Sequence, residues 1–131
     1  MVSHSLIFRT HSSSRYSVAA LIGALELDER LVELDIQAPL DLSLKSIQNA
    51  TEKGHTMIAH SVMSTQTERV YGEVQKIREQ FGNDVTIIGG GAHASIRPKE
   101  LLANGFDYVV VGEGEVVFPE LLWYLMNGKN L

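Results

Sequence analysis

The feature that most constrains this chain is an alternation repeated along its 131 residues: short apolar runs separated by longer amphipathic stretches. The runs are Leu6-Ile7-Phe8, Leu31 to Ile36, Thr56 to Ala59, Val85 to Ile88 and Tyr108 to Val111. The last two are almost unbroken apolar segments, as strands covered on both faces read. Between the runs, Arg15 to Leu27 repeats Val18, Leu21, Ile22 and Leu25 at helical spacing. Thr67 to Phe81 repeats Val70, Val74, Ile77 and Phe81, which assigns Glu73, Lys76, Arg78 and Glu79 to its exposed face. Leu42 to Glu52 carries a sparser pattern with Leu44 and Ile47 inward. Pro98 sits where a first helical turn starts, before Lys99-Glu100-Leu101-Leu102, with Gly105 as the stop. A last helix runs from about Val116 to Met126 and is rich in Phe118, Leu121, Leu122 and Leu125.

Repeated strand–helix units fold as a parallel sheet with helices on both faces. Right-handed crossovers and short connections leave few arrangements. The pattern predicts an α/β, flavodoxin-like (Rossmann-like) three-layer sandwich whose five-stranded parallel sheet has the order 2-1-3-4-5. Residues 1–131 read as one domain, since their length matches a single core. Function in such a fold sits at the carboxyl ends of the strands, beside the reversal of strand order.

Composition narrows the function. A hydrophobic content of 44% with 21% charged residues argues against disorder. A net charge of -5, with no run of Lys or Arg, argues against a nucleic-acid surface. No apolar stretch approaches the roughly 20 residues that span a bilayer. Met1 to Ser5 lacks the basic and apolar regions of a secretory leader. Cysteine is absent, which removes thiolate metal sites and fits a cytoplasmic location. Histidines and carboxylates show no metal-ligand spacing, and neither a G-x-S-x-G elbow nor a Walker sequence occurs. No residue is assigned a catalytic role.

The strand-end loops are built from small side chains. The first is Arg9-Thr10-His11-Ser12-Ser13-Ser14-Arg15, the second Ser61-Val62-Met63-Ser64-Thr65-Gln66-Thr67, the third Gly89-Gly90-Gly91-Ala92-His93-Ala94. Gly112-Glu113-Gly114-Glu115 follows the fifth run. Consecutive glycines are costly in backbone entropy, so they mark a tight turn, an unusual φ or the close approach of another body. Together these loops outline a slot.

The segment Gly90-Gly91-Ala92-His93-Ala94-Ser95, the helix Pro98-Lys99-Glu100-Leu101-Leu102 and the stretch Gly105-Phe106-Asp107-Tyr108-Val109-Val110-Val111-Gly112-Glu113-Gly114-Glu115 resemble the cobalamin-binding domains that precede radical SAM domains. The resemblance runs over nearly the whole chain. It implies a cofactor module, the N-terminal part of a longer radical SAM protein, whose own C-terminal domain would carry S-adenosylmethionine and a [4Fe-4S] cluster. Cobalamin-binding domains share D-x-H-x-x-G after the first strand, S-x-L after the third and GG after the fourth. Ser61-Val62-Met63 is similar to the second, with Met for Leu, and Gly90-Gly91 matches the third. By resemblance these admit the nucleotide tail of cobalamin into a cleft beside the sheet. The first motif is a remnant: His11 keeps its register, but Arg9 stands for Asp and Ser14 for Gly. His11 is therefore the one candidate cobalt ligand, and it lacks the carboxylate that fixes such a ring. The cofactor-binding set implied is Thr10, His11, Ser12, Ser14, Ser61, Met63, Ser64, Thr65, Gly89, Gly90, Gly91, Ala92, His93, Gly112, Glu113 and Gly114.

Other readings stay open. Thr10, Ser12 and Ser14 before a helix resemble the phosphate loop of an FMN-binding flavodoxin. A domain that keeps the fold without its cofactor, acting in recognition, is the third reading. His93 either touches the cofactor or caps a turn, His60 is a core or rim histidine, and His4 and His55 read as surface residues. Glu113 and Glu115 suit the N-terminus of the helix that follows. Phe118, Trp123 and Tyr124 on an exposed final helix suit packing against a further domain or a second copy in a homodimer.

Overall fold

The computed structural model describes residues 3–9, 15–39, 42–112 and 114–128. Its elements in chain order are β1 (Ser3–Arg9), α1 (Arg15–Glu26), β2 (Leu34–Gln37), α2 (Leu44–Lys53), β3 (Gly54–Ser61), α3 (Thr67–Phe81), β4 (Val85–Gly90), α4 (Ala92–Ile96), α5 (Pro98–Ala103), β5 (Tyr108–Val109) and α6 (Gly114–Met126). The five strands are parallel and ordered β2-β1-β3-β4-β5. The predicted three-layer α/β architecture and its strand order are those observed.

Side chains alternate across the sheet and build two cores. Leu6, Phe8, Met57, Ala59 and Ile88 meet Val18 and Leu25 of α1 and Phe118, Leu121 and Leu122 of α6. Ile7, Ile58, Val85 and Ile87 meet Ile47 of α2, Val70, Val74 and Ile77 of α3, and Leu101 of α5. The helical faces of α1 and α3 are therefore those the spacing predicts. Phe118, assigned to an exposed helix, is only 4% exposed and packs edge-to-face on Phe8 at 5.8 Å. Trp123 and Tyr124 are half-buried, because α6 lies on α1 and presents a broad apolar face. Leu44, predicted inward, is 38% exposed, whereas Ile47 is fully buried.

Local chemistry moved some boundaries. Leu31 is not in a strand: the Asp28 carboxylate accepts from the Arg30 N–H at 3.0 Å and caps a short 3₁₀ turn over Glu29–Leu31. The strand β2 starts three residues later, and β5 stops at Val109 rather than Val111. A short helix, α4, occupies the segment after the glycines, where no helix is predicted. Arg78 is half-buried rather than on a free helical face. Its guanidinium donates to the carbonyls of Gly82, Val85 and Gly105 and pairs with Asp107. Asp107 in turn accepts from the Ile87 N–H at 2.8 Å. This one side chain thus ties the end of α3 to both strands at the sheet's outer edge.

His4 and His55 are half-buried rather than fully exposed. They are register partners on β1 and β3, both partly buried, with their Nδ1 atoms 3.0 Å apart. Burial lowers both ring pKa values; His4 lowers that of His55 further, and Glu33 opposes the shift at His4. The folded rings thus resist protons that the unfolded rings accept at the ordinary histidine pKa. Stability is complete above that value and falls as pH drops below about 6.5. Urea unfolding between pH 7.5 and 5 is expected to show this slope, and His4→Gln with His55→Gln together to flatten it.

Candidate functional site

The site begins as a taper in side-chain size. On the face toward α1 and α6, β3 presents Met57, Ala59 and Ser61, while β4 presents Thr86, Ile88 and Gly90. Ala59 lies in register between Phe8 and Ile88, and Ser61 in register with Gly90. Toward the strand carboxyl ends the layer therefore shrinks from Met to Ala to Ser and Gly, and the helices cannot close over it. The result is a cleft of about 310 Å³. Its floor is Phe8, Ala59, Ile88 and Val110, one wall is Ser17, Val18 and Leu21 of α1, and the other is Gly114, Glu115 and Phe118 of α6. Ser61, Met63, Gly90, Gly91, Ala92 and Gly112 form the rim, and His60 and Gly89 complete the lining.

The three consecutive glycines have three different reasons to be glycine. A Cβ at Gly89 would lie 2.6 Å from Leu101 Cδ2 and 2.9 Å from Phe106 Cδ2, so packing on the far face excludes it. Gly91 has φ +95°, and its Cβ would meet Ser61 Oγ at 3.0 Å and Val62 N at 3.1 Å. That close approach lets the two loops join: the Val62 N–H donates to the Gly90 carbonyl at 2.8 Å, and the His93 N–H to the Val62 carbonyl at 3.0 Å. Gly90 differs from both. A Cβ there meets nothing within 4 Å, and the residue borders the cleft. Its missing side chain leaves space open to the cleft.

The opposite face of the same strand ends carries charge. Arg9 is 6% exposed, and its Nε donates to both oxygens of Glu73 on α3, at 2.9 and 3.1 Å. Glu73, assigned to an exposed helical face, is therefore part of a nearly buried ion pair. His60 is 2% exposed, stacks edge-on against Phe106 at 5.7 Å, and has its Nδ1 3.9 Å from Glu73. Farther out, the Tyr71 hydroxyl donates to Glu100 Oε1 at 2.8 Å, and His93 Nε2 lies 3.2 Å from the same oxygen. The Tyr71 hydroxyl first, then His93, holds the Glu100 carboxyl below the usual carboxylate range. Burial, then Glu100, pushes the Tyr71 pKa up to about 12. Against an ionised Glu100, His93 donates from Nε2 and its Nδ1 accepts from Ser64 Oγ, 3.0 Å away. This chain of contacts braces the two loops from behind.

Of the residues singled out in the sequence, Ser61, Met63, Gly89, Gly90, Gly91, Ala92, Gly112 and Gly114 border the cleft. Ser64 and His93 turn toward each other, and Thr65 is exposed in the turn before α3. Thr10, His11, Ser12, Ser14 and Glu113 lie outside the described residues. The cleft also takes in Phe8, Ser17, Val18, Leu21, Ala59, His60, Ile88, Val110, Glu115 and Phe118, none of which the sequence reading assigned to the cofactor. Ala59, a small residue inside an apolar strand, was the readable signal among them.

In parallel α/β domains, ligands bind in a cleft at the carboxyl edge of the central strands, where the cleft of this chain lies. The sequence matches the B12 binding domain family over residues 3–122, and the chain belongs to that family. It is thus a cobalamin-binding module. Among solved structures, the N-terminal domain of a hypothetical protein from Thermotoga maritima is 32% identical, covering 73% of this chain and 84% of that one, with a TM-score of 0.49. The pilus assembly protein CpaE from Caulobacter crescentus is 14% identical over 93% of this chain and 92% of that one, with a TM-score of 0.63. CpaE2, a pilus assembly protein from Sinorhizobium meliloti, is 13% identical over 91% and 96%, with a TM-score of 0.59. The two pilus proteins share the fold. No curated protein matches the sequence. Among the described residues, no helix is long and apolar enough to cross a membrane.

Proposed function

We propose that this domain holds a corrinoid with its nucleotide tail in the cleft and without a histidine on the cobalt. The taper Met57, Ala59, Ser61 against Ile88, Gly90 carries the reading, because it leaves an apolar slot at the carboxyl edge of the sheet. The residues fit such a tail: Phe8, Val18 and Phe118 offer apolar contact to a base, and Ser17, Ser61 and Glu115 offer polar atoms. A bound corrinoid supplies cobalt chemistry such as methyl transfer; the protein binds and orients it. The ligand question turns on position 9. In the complete motif a carboxylate there accepts the other ring N–H of the ligating histidine, whereas here Arg9 stands at that position and pairs with Glu73.

The chemistry would be completed by a radical SAM domain. This chain has no cysteine to ligate a [4Fe-4S] cluster, so the cluster and S-adenosylmethionine belong to that other domain, with this one in a cytoplasmic enzyme as its corrinoid holder. A flavin carrier fits less well: among the described residues no Tyr or Trp lines the cleft to flank an isoalloxazine ring.

The test is a visible-spectrum titration with hydroxocobalamin, with cobinamide, which lacks the nucleotide, and with FMN. Saturable cobalamin binding, weaker cobinamide binding and no FMN binding are expected. His11→Ala should bind as the parent does, and the cob(II)alamin EPR spectrum should lack splitting from a histidine nitrogen. Equal affinity for cobinamide would remove the tail from the cleft; FMN binding alone would overturn the assignment.

A further inference from the structure

At the other end of the same sheet face, His4 and His55 have no part in the corrinoid reading. We propose that they form a site for a divalent transition metal ion of the zinc type, clamping β1 to β3 at the amino-terminal edge of the sheet. The two residues are register partners on adjacent parallel strands, so the sheet itself fixes their separation. Their Nδ1 atoms are 3.0 Å apart and the ring planes stand at 85°. Two imidazole nitrogens on one Zn(II), at about 2.05 Å each, lie about 2.9 Å apart at a right angle and about 3.3 Å apart at the tetrahedral angle. The pair is therefore already spaced as a chelate.

The second requirement is a free lone pair on each ring. His55 Nε2 lies 3.3 Å from Thr86 Oγ1, and a ring that donates there keeps Nδ1 as an acceptor. In the metal-free pair His4 Nδ1–H then donates to His55 Nδ1. On metal binding the His4 proton moves to Nε2, so the ring stays neutral and no charge is lost. Burial lowers both ring pKa values, which favours the neutral rings that bind a metal. Thr86 orients the His55 ring from behind, as outer partners of metal-bound histidines do. Glu33 is the charged group that acts on His4, and its sign favours a cation. Among the described residues no three or more His, Asp or Glu side chains are grouped around a metal position, so water completes the coordination. Two imidazoles suit Zn, Ni and Cu better than Mg or Ca.

The test is calorimetric titration of the whole chain with Zn(II), with Co(II) absorption as a second readout. Zn(II) is preferred to Cu(II), which also binds deprotonated backbone amides near a chain's amino end. One equivalent of Zn(II) is expected, with a raised Tm, and binding at least about tenfold weaker in both His4→Gln and His55→Gln. The Co(II) bands should disappear in either variant. His4→Gln, at the partly exposed start of β1, keeps the test available if His55→Gln fails to fold. No Zn(II) binding by the parent, or binding unchanged in a folded variant of either histidine, would overturn the site. Hydroxocobalamin titration of the same variants should be unchanged, which separates this site from the cleft.

Discussion

Gly90→Leu is expected to abolish corrinoid binding while the domain stays folded. The backbone tolerates the change, because Gly90 is absent from the positive-φ glycines and a Cβ there meets nothing within 4 Å. The new side chain enters the cleft rather than the core. It takes the volume the nucleotide would occupy, and a loss of roughly 100-fold or more, about 2.7 kcal/mol, should follow. The neighbouring Gly91→Ala should behave in the opposite way. A residue with a Cβ at φ +95°, pressed at 3.0–3.1 Å on Ser61 and Val62, is strained by about 1–3 kcal/mol, so stability falls first and binding follows the loss of fold. Thermal melts beside hydroxocobalamin titrations distinguish the two. Parent-like binding by a folded Gly90→Leu would mean that the cleft is not where the tail goes.

Arg9→Asp recreates the D-x-H spacing with His11, yet it should not create a histidine-ligated corrinoid site. In this fold position 9 faces α3, where Arg9 holds Glu73 with both carboxylate oxygens. The substitution replaces a nearly buried ion pair with two carboxylates. Removing one partner of such a pair costs roughly 3–5 kcal/mol, and the 23% exposure of the Glu73 side chain places the effect at the lower end. The charge-swapped double variant Arg9→Asp, Glu73→Arg should recover part of the loss. Urea midpoints measure both. An Arg9→Asp variant as stable as the parent, with a histidine nitrogen splitting in its cob(II)alamin EPR spectrum, would show that the motif had been restored and that the ion pair is dispensable.

The resemblance carried by Ser61-Val62-Met63 and Gly90-Gly91 points to the carboxyl edge of the sheet, where the cleft lies. It did not separate the glycines, since three identical residues in a row differ only in what their absent Cβ atoms would meet. Nor did it separate Met63, which borders the cleft, from Ser64, which turns away to His93. Both lie beyond the end of β3, where Met63 precedes a short 3₁₀ turn over Ser64–Gln66, so strand alternation no longer sets which way their side chains point.

The sequence by itself determined the elements and their order. Strand and helix periods are local properties, so Thr67–Phe81 and the apolar faces of α1 and α3 were legible before any packing was known. Apolar runs alternating with amphipathic stretches left essentially one parallel sheet to build. Tertiary structure alone decided which polar residues became partners. Arg9 and Glu73 are 64 residues apart, Arg78 and Asp107 are 29 apart, and His4 and His55 are 51 apart. Helical spacing assigns such charges to solvent by default, because an opposite charge from a distant segment leaves no trace in local periodicity. The cleft has the same origin. It is the space left when Ala59 and Ser61 of β3 and Gly90 of β4 come into register beneath α1 and α6.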